Sequence, residues 1–168
     1  MPYVYPMTLK EAIAAADVPA LANLLGHEFE MEPGKIHRLV KLASAAFGSG
    51  SGADSAAKKA FKWSDQEART VVPVSGATDR VCGVSPPELP NLAVGDLFLL
   101  QCSGRATLIV AGDQNVTAGN YATPDDDADK GKITDTATFA EGITFGICVE
   151  TQGTGDGEVL VDLIGKLT

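Results

Sequence analysis

From residue 60 onward this 168-residue chain runs through the same succession of features twice. Residues 60–104 read AFKWSDQEARTVV and then VCGVSPPELPNLAVGDLFLLQCSG, and residues 120–165 read NYATPDDDADKGKI and then FGICVETQGTGDGEVLVDLIG. In each copy an aromatic (Phe61, Tyr121) leads into an acidic turn. An apolar strand follows, in which a glycine (Gly83, Gly146) precedes Val84 or Ile147, and a final strand ends in glycine (Gly104, Gly165). The offsets agree closely, at 60 residues from Phe61 to Tyr121, 63 from Gly83 to Gly146 and 61 from Gly104 to Gly165. A repeat of strand, turn and strand, with no catalytic residue shared between the copies, predicts a structural barrel.

Charge narrows the partners. Lys and Arg number 13 against 22 Asp and Glu, for a net charge of −9. That balance argues against nucleic acid, whose phosphates need a basic face. No run of about 20 apolar residues is present to cross a bilayer. The opening MPYVYPMTLKEAIAAADVPALANLLG lacks the charged leader and unbroken apolar stretch of a signal peptide, so a cytosolic location, or a particle assembled in cytoplasm, is expected. Cys82, Cys102 and Cys148 are odd in number, lack metal-type spacing and have apolar neighbours. Buried free thiols are the expectation, because free cysteine behaves as a small hydrophobe.

Residues 1–26 differ from everything after them. Pro2 and Pro6 around Tyr3, Val4 and Tyr5 favour an extended segment. Thr8 with Glu11 forms a capping box, predicting a helix through Ala16 with Leu9, Ala12, Ile13 and Ala16 on one side. Asp17 caps a second helix with Pro19 in its first turn, carrying Leu21, Leu24 and Leu25 to a stop at Gly26. Helices shorter than about 12 residues do not stand alone in water. They must dock, either on their own barrel or as an arm on a neighbouring subunit or larger surface.

From Glu28 the period becomes two. Phe29 and Met31 alternate with Glu30 and Glu32, Pro33 and Gly34 turn the chain, and Ile36, Arg38, Val40 and Leu42 oppose His37, Leu39 and Lys41. GSGSGADS, residues 48–55, reads as a flexible loop. Short strands are then expected over residues 60–63, 70–74, 80–84, 96–102, 106–111, 121–123, 132–135, 144–150 and 158–164, separated by glycine, proline or aspartate turns. The fold class is therefore all-β: a small antiparallel β-barrel or tulip-like domain over residues 27–168, with an internal pseudo-repeat (about 60–104 and 120–165) and a short helical N-terminal arm over residues 1–26. LFLLQC and ATLIVA are almost wholly apolar, which predicts strands covered on both sides or one face held at an interface.

Chemistry-bearing residues are sparse. His27 and His37 sit beside no plausible nucleophile and in no spaced metal cluster. There is no GxSxG elbow, P-loop, dinucleotide fingerprint or CxxC. Asp125, Asp126, Asp127 and Asp129 before Gly131 have carboxylates in alternation, but the glycine is one place late for an EF-hand and Thr136 stands where its bidentate glutamate belongs. A solvated hairpin between Tyr121 and Ile133 accounts for them better. Trp63, the one tryptophan, alternates with Phe61 and belongs to the core rather than to a sugar platform. SPPELP, residues 85–90, reads as a rigid connection, although its prolines would also suit a polyproline-binding partner. Asp65, Glu67 and Asp79 are carboxylates that folding could gather. No catalytic residue, cofactor or metal site is assigned, and a non-enzymatic protein is expected.

AGNYATPDDDADKGKI followed by FGICVETQGTGDGEVLVDLIG resembles the ending of small bacteriophage head decoration proteins, also called capsid cement proteins. Those proteins carry an AGD-like turn, an apolar pair, an Asp-containing hairpin closed by GK, a GV or GI strand, and a glycine turn into an alternating last strand. Ala118, Gly119, Tyr121, Asp125 to Asp129, Gly131, Lys132, Gly146, Ile147, Gly155, Asp156 and Val159 to Leu163 occupy those places here, and RVCGVSPPELPNLAVGDLFLLQCSG looks like a second instance. The helical N-terminal segment and SPPELP depart from the shorter relatives. The resemblance implies a virion structural protein that binds the outer surface of an assembled capsid lattice and stabilises it, commonly as a trimer, with the major capsid protein and copies of itself as partners. Tyr3, Tyr5, Leu9, Ile13, Leu21 and Leu24 are the expected anchors of the arm in a capsid or subunit interface. The alternative is a β-barrel module that binds a glycan or small ligand on a virion or cell surface.

Overall fold

The computed structural model describes residues 24–44, 56–89, 91–125, 130–155 and 157–168. These contain eleven β-strands and, among the described residues, no helix. The two expected arm helices fall on residues 1–23, outside the described ones, apart from a turn over residues 24–26. The loop over residues 48–55 and Asp126, Asp127 and Asp129 also lie outside them.

The strands form two sheets that follow one another along the chain. The first holds β1 (Glu28–Glu32), β2 (Lys35–Leu42), β3 (Ala60–Asp65), β4 (Thr70–Pro73), β5 (Gly83–Val84) and β6 (Leu97–Gln101), in the order β1-β2-β4-β3-β5-β6. A further pairing of β2 with β6 closes the last five into a barrel. The second holds β7 (Arg105–Ile109), β8 (Tyr121–Pro124), β9 (Ile133–Thr136), β10 (Gly146–Cys148) and β11 (Glu158–Leu163), in the order β7-β11-β10-β8-β9. A parallel bridge between Val110 and Ile133 brings its two ends together.

The two rings share one wiring and one register. In the first, Ala60 pairs with Val84 and Phe61 with Gly83; in the second, Tyr121 pairs with Ile147 and Ala122 with Gly146. Val84 then pairs with Gln101 and Gln101 with His37, as Ile147 pairs with Asp162 and Asp162 with Arg105. Leu42 faces Val71 in parallel, as Val110 faces Ile133. The amide of Ala43 donates to Val71 O at 2.9 Å, and that of Ala111 donates to Ile133 O at 2.9 Å. A wholly antiparallel barrel was the expectation, but a ring of five strands cannot alternate direction all the way round. The parallel step between β2 and β4, and its counterpart at Val110, is that geometric necessity.

Backbone conformation repeats as well. Lys58 and Arg69, with φ of 58° and 55°, hold the left-handed positions that Gly119 and Gly131, with φ of 89° and 79°, hold in the second ring. The recurrent glycine also has a packing cause. A Cβ on Gly83 would lie 3.0 Å from Leu100 Cβ and 3.2 Å from Gln101 O. On Gly146 it would overlap Val161 Cγ1 and lie 3.0 Å from Asp162 O. Both glycines thus let the short middle strand approach the long last strand of its ring.

Alternation sorts side chains into three clusters. The first ring is filled by Val40, Leu42, Phe61, Val71, Cys82, Phe98 and Leu100, with the Phe61 and Phe98 rings 5.3 Å apart. On its outside, Leu39 is buried under Leu24, with Leu25, Phe29, Leu97 and Leu99 packed around them, so β6 is apolar on both faces. The largest cluster joins the rings. Ala60, Val74, Val81 and Val84 from the first pack with Leu108, Val110, Ile133, Phe145, Val159 and Val161 of the second. Backbone hydrogen bonds cross the same junction, from Ala60 N to Gly131 O, from Gly131 N to Val74 O (both 2.8 Å) and from Ile109 N to Lys58 O (3.0 Å).

Candidate functional site

Of the residues with catalytic potential, the three thiols, His37, Asp65 and Asp79 are committed to structure, while His27 and Glu67 are exposed. Burial pushes the thiols of Cys82 and Cys148 up to about 12 and that of Cys102 up to about 11, so none is a thiolate at neutral pH. His27 is exposed on the turn before β1. His37 is buried between Phe29 and Gln101, and desolvation lowers its pKa. Asp65 accepts from the amide of Ala68 at 3.0 Å, closing the β3–β4 turn. Burial alone would raise the Asp79 pKa, but Lys62 Nζ at 2.8 Å and the amides of Ser75 and Gly76 hold it below the usual carboxylate value.

The other candidates are also structural. Trp63 is half-buried against the core of the first ring, with the Arg38 guanidinium 5.4 Å from its ring centre. Ser85, at the head of SPPELP, is buried and accepts from the Lys59 amide at 2.9 Å, while Leu89 packs on the same core. Asp125 is buried, and its amide donates to Lys132 O at 3.2 Å within the β8–β9 hairpin. Among the described residues no three His, Cys, Asp or Glu side chains are grouped as metal ligands. A half-open hollow of about 300 Å³ includes Arg80, Glu141, Phe145 and Lys166 in its lining, but Lys166 is already paired with Glu28 at 2.9 Å.

What remains is surface. Six large hydrophobic side chains are markedly exposed among the described residues, and four of them, Phe139, Ile147, Val149 and Ile164, gather on the outside of the second ring. Ile147 is 40% exposed and sits directly opposite Tyr121, whose ring meets that of Phe139 edge-on at 5.6 Å. Val149 follows on the same side of β10, its amide donating to Leu160 O at 2.8 Å, and Ile164 lies diagonally across β11. Arg105 and Asp162 flank this face as an exposed ion pair at 2.7 Å. Of the arm anchors, Leu24 is buried against Leu39, while Tyr3, Tyr5, Leu9, Ile13 and Leu21 lie outside the described residues.

The chain superposes on the head fiber gp8.5 N base of bacteriophage phi29 with a TM-score of 0.53 and 17% identity, over 80% of this chain and 98% of that one. Its fold is similar to that of this head-fiber base. The capsid of Myoviridae phage XM1 gives a TM-score of 0.49 at 15% identity, over 85% of this chain and 91% of that one. No protein-family model and no curated protein matches the chain. At 17% identity the likeness to the head-fiber base is one of fold.

Nothing in the local sequence marks the exposed face. Ile147 occupies the same place in its motif as the fully buried Val84, and only the arrangement of the rings distinguishes the two.

Proposed function

We propose that this protein is a structural component of a bacteriophage head that binds the outer surface of the assembled capsid lattice and stabilises it, as a trimer. The observation that carries the reading is the fold shared with nearly the whole of a head-fiber base. Its partners on this reading are the major capsid protein and copies of itself, without nucleic acid or membrane. The protein is assembled onto particles in the host cytoplasm and performs no catalysis.

One feature of the chain and one consequence of the proposed oligomer fit the role. Net charge −9 keeps decorated particles apart in solution. An oligomer engages several lattice contacts at once, which multiplies affinity by about 100-fold or more without any single tight contact. Residues 1–26 act as an arm beside the β domain of residues 27–168, with Leu24 packed on its own ring and Tyr3, Tyr5, Leu9, Ile13 and Leu21 as the anchors that reach a subunit or the capsid.

The test adds purified protein to heads made by the parent phage without this gene. Saturable binding at a fixed copy number, with increased resistance of the heads to heat, is the expected result. Protein that stays in the supernatant at all concentrations overturns the proposal.

A further inference from the structure

The internal repeat gives every surface position of one ring a counterpart on the other, and one pair of counterparts differs sharply in what covers it. On the first ring, Ala60, Val74 and Val84 point outward, yet all three are fully buried, because the second ring packs over them. By strand register their counterparts on the second ring are Tyr121, Thr136 and Ile147, with Tyr121 paired to both Thr136 and Ile147. Thr136 and Tyr121 are half-buried, and Ile147 is 40% exposed. Their surroundings extend the apolar character, with Phe139 53% exposed against Tyr121 and Val149 37% exposed beyond Ile147.

We propose that the outer face of β8 and β10, built on Tyr121, Phe139 and Ile147, is the site at which a second copy of this chain docks. The second copy is favoured for two reasons. The register-equivalent face already receives, within the chain, a ring of this same wiring, so the contact continues an interface the molecule contains. The face is also nearly neutral. Tyr121, Thr136, Phe139 and Ile147 carry no charge, and the flanking Arg105 and Asp162 neutralise each other. Two chains of net charge −9 meet with least repulsion at such a patch.

The internal step joins one face of the first ring to a different surface of the second. A contact between chains that repeats it is heterologous, so it builds a cyclic oligomer where its rotation closes and an open array where it does not, and in neither case a two-fold dimer. The inference rests on the oligomer in the proposed function and supplies its surface. It is independent of what the oligomer binds.

Sedimentation equilibrium of the full chain tests it, on wild type, Ile147→Asp and Phe139→Ser, with thermal melts to show that each variant is folded. The wild type is expected to associate, and both variants to weaken association by at least about 30-fold, the scale of an interface hot spot. Association should strengthen as salt rises to about 0.5 M and screens the like charges. A monomeric wild type overturns the inference together with the trimer. A wild-type oligomer that both folded variants preserve overturns the inference alone. So does an oligomer lost on deletion of residues 1–23 but kept by both variants, which assigns the contact to that segment.

Discussion

Arg38 lies on the core-facing side of β2, in line with Val40 and Leu42, and is buried. Its guanidinium donates twice to Glu28 Oε1, at 2.6 and 3.2 Å, and once to Leu167 O at 3.2 Å, while stacking on Trp63. Glu28 therefore joins the start of the first sheet to the end of the chain, because its other oxygen accepts from Lys166 at 2.9 Å. The Lys166 hydrogen bond, followed by that of Arg38, holds the Glu28 carboxyl below its ordinary value of 4.5. A depressed carboxylate contributes stability that is fully present above its unfolded value and is lost as pH falls through its folded one. Glu28→Gln is thus expected to lower the melting temperature at pH 7 and to flatten its decline below about pH 4.5. His37 acts in a separate window. Burial lowers its pKa from 6.5, so the neutral form is favoured in the fold and stability falls as pH drops below that value. Thermal melts across pH 3 to 8 read both windows, and a Glu28→Gln profile parallel to wild type at acid pH would contradict the assignment.

At the scale of strands, much was legible because period-two patterning is local. Val40 and Leu42 fill the first ring and Leu39 packs on its outside, the expected division of faces, although His37 to Val40 are buried without a break, and the hairpin from Tyr121 to Ile133 forms with Pro124 opposite Ile133. The matching of the two halves was legible only to within a residue. Aligning the aromatics sets Tyr121 against Phe61, whereas strand register sets it against Ala60. One residue of slip exchanges the two faces of a strand. Phe61 points into its ring, while Tyr121 points out of its own, and that slip concealed the exposed patch. The glycines were the better markers, because a close approach between strands admits no substitute. Gly146→Ala places a methyl group against Val161 and Asp162 O and is expected to cost about 1–3 kcal/mol. Gly83→Ala meets looser neighbours, and its cost is expected to be smaller. Urea denaturation of the two variants measures the difference, and equal stabilities would remove the packing explanation for the repeated glycine.

At the scale of the molecule, the two rings are copies in wiring but not independent in energy. Their common cluster takes Ala60, Val74 and Val84 from one and Leu108, Ile133 and Val161 from the other, so separating them would expose apolar surface on both. A single calorimetric transition is expected, with the calorimetric enthalpy equal to the van't Hoff value. Two resolved transitions would mean that each ring stands by itself. The sequence could not announce which face the rings use on one another, because Val84 and Ile147 are both β-branched residues following a glycine in a short strand. Their fates differ through an arrangement that no local pattern encodes. Circular closure of the first sheet has its own consequence. A hydrogen-bond ladder that returns to its starting strand offers a stranger nowhere to add on. Where that sheet does stop, at β1, the chain sets Glu28, Glu30 and Glu32 and interrupts the pairing between the last two. A neighbouring chain therefore finds charged side chains, two of them held in ion pairs, and a broken rhythm in place of a template.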